Sequence, residues 1–175
     1  MKKSDKIKKE AQIIQDRLHL IIRHIRNVQE NCIILGEKLI DNGEFEMGRR
    51  LIENGFKHDT SKFTGIEWEY MDHYQGGKDT AKLKLAVEQH GKTNPHHPEY
   101  WSSIHAMPDL FLAELACDWK ARSQEFGTSL TDWINDSAMD RFKFGKNDEV
   151  YKKIMNFVDM LCEKPFVQQT ENMKQ

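Results

Sequence analysis

The stretch "IQDRLHLIIRHIRNVQENCIIL", residues 14 to 35, decides the fold class. Ile14, Leu18, Ile21, Ile25 and Val28 follow one another at three- and four-residue steps, and Leu35 continues the stripe. That period marks one face of an α-helix, whereas a half-buried strand alternates every second residue. This helix is predicted to end near Gly43. A second spans roughly residues 44–53 and stops at "NGF", where Gly55 supplies a left-handed C-terminal residue. Thr64 and Glu67 form a T-x-x-E capping box for a third, with Trp68 and Met71 inward, and "GG" at 76 and 77 breaks it.

Downstream the same pattern holds. A fourth helix runs from about Asp79 to His90. The two prolines in "NPHHPEYW" forbid a continuous helix there, and Pro108 then fits the first turn of one through Leu112, Leu115 and Trp119. "GTSLTDWI" opens a short helix, and Val150, Ile154, Phe157 and Leu161 share one face of the last. The expectation is an all-α, single-domain bundle of six to eight helices over residues 1–165, followed by a polar, disordered tail at 166–175.

Bulk properties narrow the function. The chain has 175 residues, enough for a continuous core. A net charge of −2 argues against nucleic acid or an anionic membrane as partner. The basic run "MKKSDKIKK" reads as a solvated helix start. No segment reaches transmembrane length and none resembles a signal peptide. Cys32, Cys117 and Cys162 are odd in number and form no C-x-x-C pair, so they read as reduced thiols and the protein as cytoplasmic.

The chemistry is carried by where the histidines fall. His24 lies three residues after Ile21 and four before Val28, at the border of the apolar stripe. His58 and Asp59 are adjacent just beyond the second helix. His90 follows Leu83 and Val87 on an inward face, and His96 and His97 sit between Pro95 and Pro98. Asp118 comes three residues after Leu115 and four after Glu114. Singly, each has a structural explanation. The histidines can be satisfied core residues, Glu114 and Asp118 a solvated helix edge, and Asp59 an acceptor for amides of the next helix. Together, five histidines and two aspartates lie where a bundle can bring them to one point. Neutral imidazoles and carboxylates are ligands for Mn, Fe, Ni or Zn, and a set this large can hold one or two ions with an aspartate between them. His19, His73 and His105 lack such a pattern and read as structural or surface residues.

In this order, His24, His58-Asp59, His90, His96-His97 and Asp118 resemble the signature of the HD superfamily of metal-dependent phosphohydrolases. Within it the chain is most similar to a small bacterial and phage family sharing "HDTSKF", "NPHHPEYW" and the helix "ELACDW". The resemblance spans about residues 20 to 160. It implies an HD-like helical bundle with His24, His58, Asp59 and Asp118 around one metal. Asp59 would reach a second metal held by His90 and one or both of His96 and His97, although His90 and His96 are closer in sequence than in larger two-metal members. Lys62, three residues after Asp59, stands where several two-metal members place a lysine against a substrate phosphate. The implied activity is hydrolysis of a small-molecule phosphate ester by metal-activated hydroxide, with Asp59, Lys62 and Asp118 as catalytic residues. Tyr100 and Trp101 can stack a nucleobase, which would make the substrate a nucleotide or cyclic nucleotide, or they can fill the core beneath the loop. Two other readings stand beside this one: an HD-type di-iron oxygenase using the same ligands, and a non-catalytic helical binding module.

Overall fold

The computed structural model describes residues 3–70 and 80–162. The expectations for Met71, His73, the glycines at 76 and 77, Asp79 and the 166–175 tail lie outside these residues. The α-helices are α1 (Lys3–Asp41), α2 (Phe45–Lys57), α3 (Gly65–Tyr70), α4 (Thr80–Thr93), α5 (Asp109–Phe126), α6 (Leu130–Trp133), α7 (Met139–Phe142) and α8 (Glu149–Cys162). Short 3-10 turns occupy Thr60–Phe63, Pro98–Tyr100 and Ile104–Ala106. No strand occurs among the described residues, so the fold is all-α as the periodicity predicts.

The core lies where α1, α2, α5 and α8 meet. Val28, Leu35 and Leu39 of α1 pack with Leu51 of α2, Leu112, Leu115 and Ala116 of α5, and Ile154 and Val158 of α8. Burying each Leu, Val or Ile stabilises the fold by about 1.5–3 kcal/mol. The buried line along α1 is turned slightly from the predicted one. Ile14 is exposed, while Arg17, Ile21, His24, Val28, Asn31, Cys32 and Leu35 face inward. Its polar members have partners. Arg17 Nη2 donates to Glu67 O at 3.0 Å with its guanidinium 4.2 Å over the Trp68 ring, which ties α3 to α1. Asn31 Nδ2 donates to Cys117 O at 3.2 Å and Gln124 Oε1 at 3.0 Å, which ties α5 to α1.

Two local expectations are corrected. Gly55 is not a left-handed cap, because α2 continues through it to Lys57. It is a close-approach residue: a Cβ there would stand 2.7 Å from Cys32 Cβ. A Cβ on Gly36 would lie 2.8 Å from Gly48 O, and one on Gly48 would clash with Gly36 O. These three glycines form the seam on which α1 and α2 approach, and the seam sets where His24 and His58 stand. The left-handed residue is Asp59, with φ 57°. The capping box is also not formed. Thr64 Oγ1 donates back to Ser61 O at 3.4 Å, and the Glu67 carboxylate turns inward to a buried imidazole and Ser61 instead of to the α3 amides.

Between α6 and α7 the chain makes one π-helical turn, Ile134–Ala138, in which Met139 N–H donates to Ile134 O. Ser129 Oγ caps α6 by accepting from Asp132 N at 3.2 Å. No described helix is long and apolar enough to cross a membrane. Cys32, Cys117 and Cys162 are free thiols, the first two buried.

Candidate metal centre

Asp59 is the hinge of the site. The last turn of α2 ends at His58, and Asp59 then adopts the left-handed conformation before the 3-10 turn that carries Lys62. For a residue with a Cβ this costs about 1–2 kcal/mol, least for Asp and Asn. The kink points the carboxylate into the molecule, where Asp59 is only 2% exposed. Backbone strain of this kind collects at functional sites.

The two oxygens of that carboxylate face different histidines. Oδ2 lies 3.3 Å from His24 Nε2 and 3.5 Å from His58 Nε2. Oδ1 lies 3.1 Å from His90 Nε2 and 3.5 Å from His96 Nε2. Asp118 Oδ1 on α5 joins the first side, 3.1 Å from His24 Nε2. His97 joins the second, its ring 4.6 Å from that of His90 and 4.4 Å from that of His96. Ligand atoms of His24, His58 and Asp118 lie within 4.8 Å of one another, and so do those of Asp59, His90, His96 and His97. All seven residues named from the sequence as metal ligands therefore converge, including His90 and His96 despite their short separation.

Behind the imidazoles stands a layer of glutamates. His24 Nδ1 donates to Glu125 Oε1 at 2.8 Å, and His90 Nδ1 to Glu67 Oε2 at 2.7 Å. Glu114 Oε1 serves both sides, 3.1 Å from His58 Nδ1 and 3.4 Å from His96 Nδ1. Its other oxygen accepts from Asn54 Nδ2 at 2.9 Å, and Ser61 Oγ donates to Glu67 at 2.9 Å. A carboxylate can only accept, so each Nδ1 carries a proton and each Nε2 is the nitrogen left to face a metal.

The donor set fits a metal. His58 Nε2, Asp59 Oδ1, His96 Nε2, His97 Nε2 and Asp118 Oδ1 are buried without a hydrogen-bond partner. Leaving such a group unsatisfied costs about 1–3 kcal/mol, so five together are not a packing solution. Close nitrogens and oxygens without hydrogen-bond alignment are what side chains aimed at a common ion look like.

Electrostatics follow from this crowding. At His24 burial works against the charged ring, but the surrounding carboxylates of Asp118, Asp59 and Glu125 outweigh it and push the pKa up to about 10. At His97 burial and the neighbouring His96 act together and push it down to about 2. Burial opposes the charge on Asp59, yet His58, Lys62, His24 and His90 hold its carboxyl well below the usual range. Asp118 is held low against burial chiefly by His24.

Lys62 Nζ donates to Asp59 Oδ2, and Lys62 is itself buried. It also lines a cavity of about 330 Å³ together with His90, His97 and Asp118. Trp119, Phe126, Trp133 and Phe142 line the same cavity, as do Arg122 and Arg141. Tyr100 and Trp101 do not. Trp101 packs against the core beside Phe111, ring centroids 5.6 Å apart, and donates Nε1–H to Pro95 O at 2.8 Å. Tyr100 lies edge-on to Trp101 and is half exposed. Trp101 takes the alternative place, in the core beneath the proline-rich loop that carries His96 and His97.

The sequence reading missed the glutamates as a layer. Glu67 was assigned to a cap, Glu114 to a solvated edge, and Glu125 to nothing. A signal existed in α5, where Glu114, Asp118 and Glu125 recur at four- and seven-residue steps and so share one helix face.

The fold and site together define an all-α protein with a buried histidine–carboxylate cluster able to hold metal ions. The chain belongs to a family of unknown function, DUF5662, whose model matches residues 14–164. No curated protein and no solved structure matches it.

Proposed function

We propose that this protein is a metal-dependent phosphohydrolase of the HD type, cleaving a phosphate ester with two divalent transition-metal ions held on either side of Asp59. The observation that carries this reading is the division of labour at the Asp59 carboxylate, whose two oxygens face two separate sets of imidazole Nε2 atoms. Bound ions would acidify a water to a nucleophile near neutral pH and offset charge on the phosphoryl oxygens.

The chain's own residues do the rest. His24, His58 and Asp118 would hold one ion and His90, His96 and His97 the other, with Asp59 available to both. The Asp118 carboxylate, which lines the cavity, accepts a proton from the attacking water. Lys62, between Asp59 and the cavity, faces its ammonium toward the phosphoryl oxygens as charge develops on them. The phosphorus–oxygen bond to the leaving alcohol breaks as water's oxygen bonds to phosphorus, and the alkoxide takes up a proton.

The test pairs metal analysis with phosphate release over nucleotides, cyclic nucleotides and sugar phosphates, comparing the native chain with Asp59→Ala. The native protein is expected to retain metal and release phosphate, and the variant to lose both. A variant that keeps metal and activity sinks the assignment. So does a native protein that releases no phosphate but turns over a small molecule with oxygen at a coupled di-iron centre.

A further inference from the structure

The cavity beside the cluster has a wall that the hydrolytic step does not use. Trp119 and Phe142 lie nearly parallel, 17° between planes and 5.8 Å between centroids, and Trp133 meets Trp119 edge-on at 4.8 Å. Phe126 completes the aromatic lining. Trp119 belongs to the core, but Phe126 is 71% exposed. An exposed residue that lines a cavity stands at its mouth. A phenyl ring there gains burial only when something apolar enters beside it.

Two cations share this space. Arg122 binds Glu125 at 3.1 Å, and Arg141 binds Glu99 at 3.1 Å with its guanidinium 4.8 Å over the Phe142 ring. Each guanidinium has five donors, so these contacts leave others for a ligand's acceptors. The cavity of about 330 Å³ falls in the range of small-molecule sites and exceeds what a phosphoryl group alone fills.

We infer that the ester's leaving group is an alcohol bearing a flat ring, selected by Phe126, Trp133 and Phe142. This rests on the phosphohydrolase reading above and names its substrate class. Ring faces prefer offset-stacked or edge-to-face partners, which a flat ring supplies and a short polyol does not. Arg122 and Arg141 meet acceptors on the ring's edge, while Lys62 and the cluster take the phosphoryl end. An aryl phosphate and a nucleoside phosphate share this chemistry.

The test uses phosphonates, which bind without turning over. Phenylphosphonate, cyclohexylphosphonate, methylphosphonate and inorganic phosphate are titrated into the Mn-loaded protein by calorimetry. Phenylphosphonate is expected to bind about tenfold tighter than methylphosphonate, with cyclohexylphosphonate between them. Phe126→Ala, whose side chain is outside the core, is expected to cut that advantage by half or more with metal content unchanged, and Trp133→Leu to do the same. Equal binding of the phenyl and methyl ligands overturns the inference and leaves the hydrolase reading standing. Equal binding of the phenyl and cyclohexyl ligands overturns the flat-ring class, and an advantage that survives both variants overturns the assigned wall. Failure of inorganic phosphate and every phosphonate to bind overturns both readings. With binding established, an aryl phosphate and a nucleoside monophosphate compared by kcat/KM separate the two sources of the ring.

Discussion

On its Oδ2 side, Asp59 faces His24 and His58, carried by the longest helix and by the end of the helix packed against it, with Asp118 added from α5. On its Oδ1 side, it faces His90 at the end of α4 and His96 in a loop between prolines, with His97 beside them. The first side is rich in carboxylate and stands on the packed core of α1, α2 and α5. The second is rich in imidazole, and α3 and α4 hold it chiefly by packing on each other and the neighbouring turns. The difference is one of charge as well as rigidity. Carboxylates on the Oδ2 side keep a proton on His24 to about pH 10, whereas the Oδ1 side keeps His97 neutral down to about pH 2. A cation entering the first side displaces a proton; one entering the second meets neutral nitrogens.

The hardest test of this contrast removes what the sides share. Asp59→Asn keeps a residue that tolerates the left-handed conformation but loses the charge, so folding is expected to survive while both ions are lost and phosphate release falls to background. Elemental analysis after gel filtration measures this, and one ion retained at native affinity would mean that the sides do not share Asp59. Next in size, His90→Ala should remove one ion only. A mild chelator should likewise strip one equivalent from the native protein first, from the Oδ1 side, and the equivalent left in His90→Ala should resist it. If the residual ion is the weaker one, the rigidity argument is reversed.

A smaller effect separates the glutamates. Glu114→Gln should loosen both ions by about 10–100-fold, because its Oε1 faces one histidine from each side. Glu125→Gln should loosen only the Oδ2 ion and Glu67→Gln only the Oδ1 ion, read by competition with a chelator of known affinity. The smallest effect is in pH. The folded pKa of His24, about 10, exceeds its ordinary 6.5, so the stability it contributes is complete below 6.5 and lost as pH rises toward 10. His97 acts oppositely: the unfolded chain takes a proton below 6.5 that the folded chain refuses, so stability drains as pH falls below that value. The melting temperature of chelated protein should therefore peak near pH 6.5, and added metal should flatten the upper limb. A steady rise through pH 9 would show that His24 carries no proton in the chelated fold.

How much of this was legible beforehand depended on range. Helix α1 and the inward faces of α5 and α8 were readable because their period is local. The seven residues that converge were readable as candidate ligands because their order resembles a superfamily signature. Gly55 was misread because a glycine after a polar residue looks like a helix stop, and only the approach of α1 shows it is a packing contact. Glu67 was misread because a capping box is a local pattern, whereas its partner His90 is 23 residues away. Glu114 looked solvated because its partners, His58, His96 and Asn54, are distant in sequence. The aromatic wall went unread for the same reason: Trp119 comes from α5, Trp133 from the end of α6 and Phe142 from the end of α7.

That segment sets the cavity by phase. Eight residues of plain α-helix would leave Arg141 about 80° around the axis from Trp133, and nine would leave Phe142 about opposite it. The π turn at Ile134–Ala138 absorbs about one residue, which brings Arg141 to within about 20° of Trp133 and Phe142 to about 80°. The same residues wound as plain α-helix would keep every aromatic and cationic side chain of the wall and still rotate two of them away. The cavity wall is thus set by how the backbone is wound as well as by which side chains it carries, and the π turn is where one extra residue is taken up without turning Arg141 and Phe142 away from Trp133.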